Sequence, residues 1–599
     1  IKVIQKSVSS DDTVYEEQKK LHLLDLLKNN FLPHKSGSLK DKAIYLGHMI
    51  NRLLRVSLGR LPLDDRDSYV NKRIDLPGDL LFELFKQQYK KMMNECNKFF
   101  SNRTDDYNNP YNIIHQIKPN TIEQGIKASL STGSWIRKKG VAQMLQRLTY
   151  LQAISFLRRV DAPSGDASSA KLTSPRQLHP SSVGFMCVVQ TPEHAKVGLV
   201  KHLNIISSIT IMDRDTLNIM MNYLMDVDDI KGISDVDYNQ IKSMYKIFLN
   251  GDWIGLCRGL VKKNEKMENI PVIKLYNDLK HKKQSGVFNP EMVSIVVDHD
   301  EFELRIYCDT GRLYRPIFKV GNSNNVLITK KDINTVSLNK THTDKITDWE
   351  VFVSKNNHLI EYIDMEEQPY LMIADKVKVV DKMKKRMESS INYKFKNNSE
   401  TNVINRYNEN YFIKYTHCEM HPSVLLGEIA INIPFSDSNQ GPRNIFQYSQ
   451  GRQAMGLYCT NYRDRLDISY ILYHPQKPVV TTRASKYVFT DTLPFGENAI
   501  VAISTYTGYN QEDSLIFNKR SIERGMFRST SLRKFASSIS KNQNTSQDDI
   551  FTKPDPDKVI GIRHGSYDKL NLQGYVPEET VVSNGDILLA KIKPIQQDI

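Results

Sequence analysis

Residues 417–456 read HCEMHPSVLLGEIAINIPFSDSNQGPRNIFQYSQGRQAMG. Between Asn439 and Gln453 this stretch gathers Gln440, Arg443, Asn444, Gln447, Gln450 and Arg452, with Gly441, Gly451 and Gly456 close by. Amides and guanidiniums are directional donors suited to phosphate oxygens and to base or sugar edges, and glycines permit close backbone approach. A merely solvated loop favours lysine and glutamate instead. Downstream, YHPQKPVVTTRASKYV (473–488) adds Lys477, Arg483 and Lys486. Further on, TYTGYNQEDSLIFNKRS (505–521) sets Glu512 beside Asp513, just ahead of the apolar Leu515, Ile516 and Phe517.

The whole chain frames these stretches. Its 599 residues suit about four domains. A hydrophobic share of 40% with 25% charged residues is that of a folded globular protein. No stretch approaches the roughly 20 uninterrupted apolar residues of a membrane span. Six separated cysteines without a CxxC pair argue for reduced thiols rather than a disulfide framework or a zinc ribbon. A net charge of +14, from 82 basic and 68 acidic residues, suits a polyanionic partner as well as plain solubility. No GxxxxGK[ST] phosphate loop is present. The chain begins at Ile1 with no signal-peptide layout, and so reads as a piece of a longer polypeptide.

Periodicity predicts helices over 14–34, 41–58 and from Pro77 past Met92, and another over 141–159. Residues 161–180, dense in Ser, Gly, Ala and Pro, read as a loop carrying Lys171, Arg176 and His179. From about 200 to 420 strands dominate. Asp309-Thr310-Gly311 is expected to tip a hairpin, and Asp298 to Glu301 to form a charged turn between strands. The Lys- and Asn-rich 381–408 stretch is expected to be a mobile surface excursion. His417, Cys418 and His421 have zinc-like spacing but fall short of four ligands.

The 417–456 stretch, YHPQKPVVTTR and GYNQEDSLIFNKRSIERGMFRS (508–529) together resemble the second-largest subunit of multisubunit DNA-dependent RNA polymerases. The likeness is to the eukaryotic polymerase II type and its relatives in large DNA viruses. DDRDSYVNKRIDLPGDLL (64–81), SPRQLHPSSVGFMCVVQTPEHAKVGLVKHLN (174–204) and DTGRLYRPIF (309–318) extend it along the chain. It implies a mixed α+β multidomain fold. The end of the lobe would cover 1–74, the second part of the protrusion 75–135 and the fork 136–213. Two external domains (214–303 and 304–417), a hybrid-binding region (418–521) and the start of the wall (522–599) would follow. The family's C-P-x-E-T-P-E-G appears here as CVVQTPEHA, with Gln190 in place of glutamate and His194 in place of glycine. Phe446 stands where tyrosine is frequent.

The resemblance implies two-metal nucleotidyl transfer in a centre shared with the largest subunit, the chain alone being inactive. Asp513, with Glu512 as a weaker partner, would hold or orient a magnesium ion, and Arg443 would clamp the incoming ribonucleoside triphosphate. Gln440, Asn444, Gln453 and Arg483 would line the RNA–DNA hybrid, while Lys171, Arg176 and Gln177 would face template or downstream DNA. No zinc is expected here. Smaller polymerase subunits would be further partners, and the location would be a nucleus, a cytoplasmic viral factory or a virion. The Lys-, Asn- and Ile-rich composition points to an A+T-rich genome, and the unusual fork residues favour a divergent lineage such as that of a large DNA virus. Two other classes are a non-catalytic nucleic-acid scaffold sharing the fold and a self-sufficient metal-dependent transferase or nuclease.

Overall fold

Proline and capping residues set the first helices. The computed structural model describes residues 16–35, 38–101, 114, 117–135, 138–162, 172–241, 243–259, 270–338, 352–353, 356, 358–396, 413–465, 467–539 and 548–593. Helix α1 (Glu16–Asp25) runs on as a π-helical turn to Asn30. Helix α2 (Leu39–Ser57) starts with a capping box, in which the Ser38 hydroxyl accepts from the Asp41 N–H and the Asp41 carboxylate from the Ser38 N–H. Helix α3 (Pro77–Ser101) opens on proline as expected, and α4 (Pro119–Thr132) packs against it.

The helix expected over 141–159 is shorter. Only Tyr150–Leu157 is helical (α5), capped by the Thr149 hydroxyl, which accepts from the Gln152 N–H. The cause is backbone competition. The N–H groups of Val141 and Ala142 donate to the Gly133 carbonyl at the end of α4, and Met144 is 89% exposed. Strand β1 (Arg159–Asp161) pairs antiparallel with β2 (Val200–His202), and β3 (Ser208–Ile209) leads to α6 (Arg214–Asp226).

The next sheet has the order β4-β6-β5-β8-β7: β4 (Ile230–Lys231), β5 (Met244–Leu249), β6 (Asp252–Arg258), β7 (Ser294–Asp298) and β8 (Glu303–Tyr307). Helices α6 and α7 (Pro271–Gln284) pack on it through Met220, Leu224, Leu275, Leu279, Ile247 and Ile306. The turn between β7 and β8 is the charged one expected, with Asp298 accepting from the Asp300 and Glu301 N–H groups.

Another sheet follows, in the order β10-β9-β12-β11, with β3 also pairing with β9: β9 (Leu313–Lys319), β10 (Ile360–Asp364), β11 (Ile373–Ala374) and β12 (His417–Cys418). Strands β8 and β9 therefore belong to different sheets, and Asp309-Thr310-Gly311 is a crossover rather than a hairpin tip. Gly311 has φ +78°, and a Cβ there would lie 2.5 Å from the Ile74 carbonyl oxygen. Its carbonyl accepts from the Ile74 N–H, and its N–H donates to the Thr210 carbonyl. Buried ion pairs tie α7, which packs on the β4–β8 sheet, to β10 and the residues after it, and brace the start of β9 against β10. Lys280 meets Glu361 at 2.8 Å and Glu367 at 2.6 Å, Lys283 meets Glu367 at 3.1 Å, and Arg312 meets Asp364 at 2.5 Å.

Helix α8 (Val377–Lys396) replaces the first part of the excursion expected over 381–408, because Val380 and Met383 share a buried face; residues 397–412 lie outside the described residues. The last long helix is α9 (Gly441–Gln453).

The chain divides into two units: residues 1–456 with 475–506, and residues 457–474 with 507–599. The elements above lie in the larger unit. In the smaller, β13 (Ser469–Leu472) pairs with β14 (Ser529–Leu532), and β15 (Ile550–Phe551) with β16 (Lys591–Ile592). Among the described residues no helix is long and apolar enough to cross a membrane.

Candidate functional site

Helix α9 and its cap carry the candidate residues Gln440, Arg443, Asn444 and Gln453. Gln440 caps it in an extended conformation, Pro442 sits in its first turn, and the Arg443 N–H donates to the Gln440 carbonyl at 3.0 Å. One side of the helix is fixed. Tyr448 is fully buried in a cluster with Leu151, Ile429, Ile431, Ala484 and Val488. Asn444, 7% exposed, donates through Nδ2 to the Ser436 carbonyl at 2.8 Å and accepts from Asn439. Gln440, Arg443, Gln447, Gln450 and Gln453 are exposed.

A cleft of about 420 Å³ lies against this helix. Leu151, Ile429, Ile433 and Phe495 supply apolar lining, and Asn432, Asn439, Arg443 and Gln447 supply polar groups. The Arg443 guanidinium sits 5.4 Å from the Phe446 ring centroid. An apolar lining with a few convergent donors is the usual make-up of a small-molecule site.

The other candidates in the larger unit take different places. Arg483 is exposed beside the buried Ala484. Arg176 donates through Nη1 to the Ala195 and Val197 carbonyls at 2.7 and 3.0 Å, bracing the 190–198 loop. Gln177 is exposed, and Lys171 lies outside the described residues. His194, where the family's motif has glycine, sits at φ +61°. The zinc-like trio diverges: His417 Nε2 faces Glu361 at 3.1 Å, Cys418 is fully buried, and His421 Nδ1 meets Ser423 Oγ at 2.6 Å.

Glu512 and Asp513 belong to the smaller unit. They occupy an irregular turn with Thr507, Gly508 and Glu512 at positive φ, closed by the Ser514 N–H donating to the Gln511 carbonyl. Both carboxylates are exposed, and among the described residues neither has a hydrogen-bond or ion-pair partner.

A buried polar hub that sequence reasoning passed over lies behind α9. Glu428, 1% exposed, accepts at Oε1 from Gln190 Nε2 at 3.0 Å and faces His202 Nδ1 at 3.4 Å. Arg158 Nε stands 3.8 Å from its Oε2. Gln190 also donates to Ser155 Oγ at 3.3 Å. Burial opposes the charge on Glu428, but the hydrogen bond and charge of His202, with further donors, hold its carboxyl at about 2. Burial holds His202 below its ordinary value, against the pull of the Glu428 carboxylate in the other direction. The available signal was one glutamate inside the apolar run SVLLGEIAINI.

Comparison with known proteins assigns this arrangement to a family. RNA polymerase Rpb2 domain models match in order: domain 2 over residues 3–75, domain 3 over 143–209, domain 4 over 247–321, domain 5 over 349–422 and domain 6 over 429–598. DNA-directed RNA polymerase subunit 2 of Acanthamoeba polyphaga mimivirus is 41% identical over 99% of this chain and 49% of its own length. DNA-directed RNA polymerase II subunit 2 of Arabidopsis thaliana is 39% identical over 98% and 46%. DNA-directed RNA polymerase subunit Rpo2 of Saccharolobus shibatae is 30% identical over 95% and 46%. The chain spans about half the length of the curated relatives it matches, and it belongs to the RNA polymerase Rpb2 family.

Proposed function

We propose that this chain forms, together with a larger partner subunit, the active centre of a DNA-dependent RNA polymerase that joins ribonucleotides on a DNA template. The observation that carries this reading is the donor-lined cleft on α9, in a chain similar over nearly all its length to polymerase second subunits. Arg443 clamps the triphosphate, since its planar fork pairs with phosphate oxygens better than a point charge does. Gln440, Gln453 and Arg483 line the hybrid. Asn444 acts from beneath, holding the 436–439 loop against the helix. Arg176 holds the 190–198 loop, Gln177 reaches template or downstream DNA with Lys171, and these contacts go to backbone so that any sequence is accepted. Lobe, protrusion, fork, external, hybrid-binding and wall regions follow the boundaries given above. The assembly works in a nucleus, a viral factory or a virion.

The carboxylate turn fits a magnesium ion. Two exposed carboxylates without protein partners leave room for the water and phosphate oxygens that this ion prefers. Bound there, it would neutralise charge building up on the phosphate oxygens. Asp513 would be the main holder of the ion, with Glu512 as the weaker partner.

Replacing Arg443 by alanine in the assembled polymerase should raise the apparent KM for nucleotides about tenfold or more while template affinity falls less than threefold. An unchanged nucleotide dependence overturns the role.

A further inference from the structure

Four elements converge on the Glu428 carboxylate. Helix α5 brings Ser155 and Arg158, the 187–190 segment brings Gln190, β2 brings His202, and Glu428 itself lies in the segment leading to α9. The last turn of α9 adds the Arg452 guanidinium, which the Glu428 charge stabilises. The Glu428 carbonyl accepts from Asn432 Nδ2 at 2.9 Å, and Asn432 with Ile429 and Ile433 lines the cleft that holds Arg443. A shift at Glu428 is therefore a shift of one cleft wall.

The contact between residues 190 and 428 needs one donor and one acceptor. Gln190 and Glu428 are 2% and 1% exposed, and their side chains meet at 3.0 Å as donor and acceptor. Two carboxylates there would face each other as acceptors with no proton between them. Neither residue has room to withdraw. A Cβ on Gly427 would lie 2.5 Å from Gln190 Oε1 and 3.2 Å from the Cys187 Cβ.

We propose that Gln190 and Glu428 form a buried amide–carboxylate lock that positions the cleft wall facing Arg443, so that the amide at 190 is required by the carboxylate at 428. The proposal rests on the reading of Arg443 as the nucleotide-facing group. Gln190 and Glu428 are positioning residues and touch no substrate.

The test compares Gln190→Glu, Glu428→Gln, the double exchange and Arg443→Ala in the complete polymerase, measuring nucleotide KM and kcat from about pH 6 to 8.5. At the alkaline end Gln190→Glu raises KM about tenfold, with kcat changed less than threefold. As the pH falls, one shared proton restores a donor between the two carboxylates and KM returns toward wild type. The other charged or titratable groups facing the pair are His202, Arg158, Arg452, the Cys187 thiol and, beside His202, Arg159. All five are present in every variant, so the change in pH profile belongs to position 190. Glu428→Gln raises KM several-fold without acid recovery. The double exchange reverses donor and acceptor and brings KM within about threefold of wild type across the range.

Additive single effects, or a Gln190→Glu defect that is flat with pH, overturn the lock. If Arg443→Ala raises KM and the 190 and 428 variants leave it unchanged, the positioning role falls while the nucleotide reading stands. If Arg443→Ala leaves KM unchanged, the nucleotide reading itself fails. Should Gln190→Glu not assemble, the double exchange decides: assembly at wild-type yield supports the lock, and failure overturns it.

Discussion

The α9 region and the Glu512-Asp513 turn both carry candidate functional groups, yet they are built in opposite ways. Helix α9 presents Arg443 from a scaffold fixed by the buried Tyr448, by Asn444 and by the Glu428 hub. The carboxylate turn is exposed along its length and is closed by a local backbone bond. The contrast teaches that the donors of α9 rest on core packing, whereas the carboxylates of the turn have no protein partner among the described residues, as the proposed cation role requires. Substitutions behind α9 should therefore change stability first, and substitutions in the turn should change activity alone.

The largest effect should come from Tyr448→Ala, which empties a fully buried aromatic site and should cost about 3–5 kcal/mol in a denaturant melt. Tyr448→Phe should cost little or stabilise, because the hydroxyl is buried without a hydrogen-bond partner. Next is the acid response of the hub. The Glu428 carboxyl titrates near 2 when folded against an ordinary 4.5, so its contribution of about 3 kcal/mol is present above pH 4.5 and is lost as pH falls toward 2. Glu428→Gln should flatten that limb of the stability profile; an unchanged acid limb would place the titration elsewhere. Asp513→Ala should leave melting within about 0.5 kcal/mol of wild type, yet slow nucleotide addition about 10–100-fold at limiting magnesium. Wild-type elongation together with a lowered Tm would reverse the comparison. The smallest effect is His194→Gly, which should stabilise by about 1 kcal/mol by relieving the positive φ of a side-chain-bearing residue.

Local signals were legible and long-range ones were not. Helix α3 followed from Pro77 and its apolar spacing, and the β7–β8 turn from its acidic run. Residues 141–149 have helical spacing, but their backbone is engaged by the end of α4, a contact that periodicity does not report. Asp309-Thr310-Gly311 has hairpin chemistry, while sheet membership decides its role. The donors of 439–453 were evident from residue type, although Asn444 turned inward to serve the fold. Glu428 escaped notice because its partners, Gln190, His202 and Arg158, lie more than 200 residues away in the chain.

The crossover at Gly311 has a consequence for the order of assembly. One residue there joins Ile74, Thr210 and Gly311, three points separated by more than 100 residues each. Such a junction has no local nucleus, and closing it requires ordering two long intervening loops. During synthesis the backbone at Ile74 must wait for this partner until residue 311 has left the ribosome. The interval is a window in which a holding chaperone has something to grip, and it shuts when that glycine arrives.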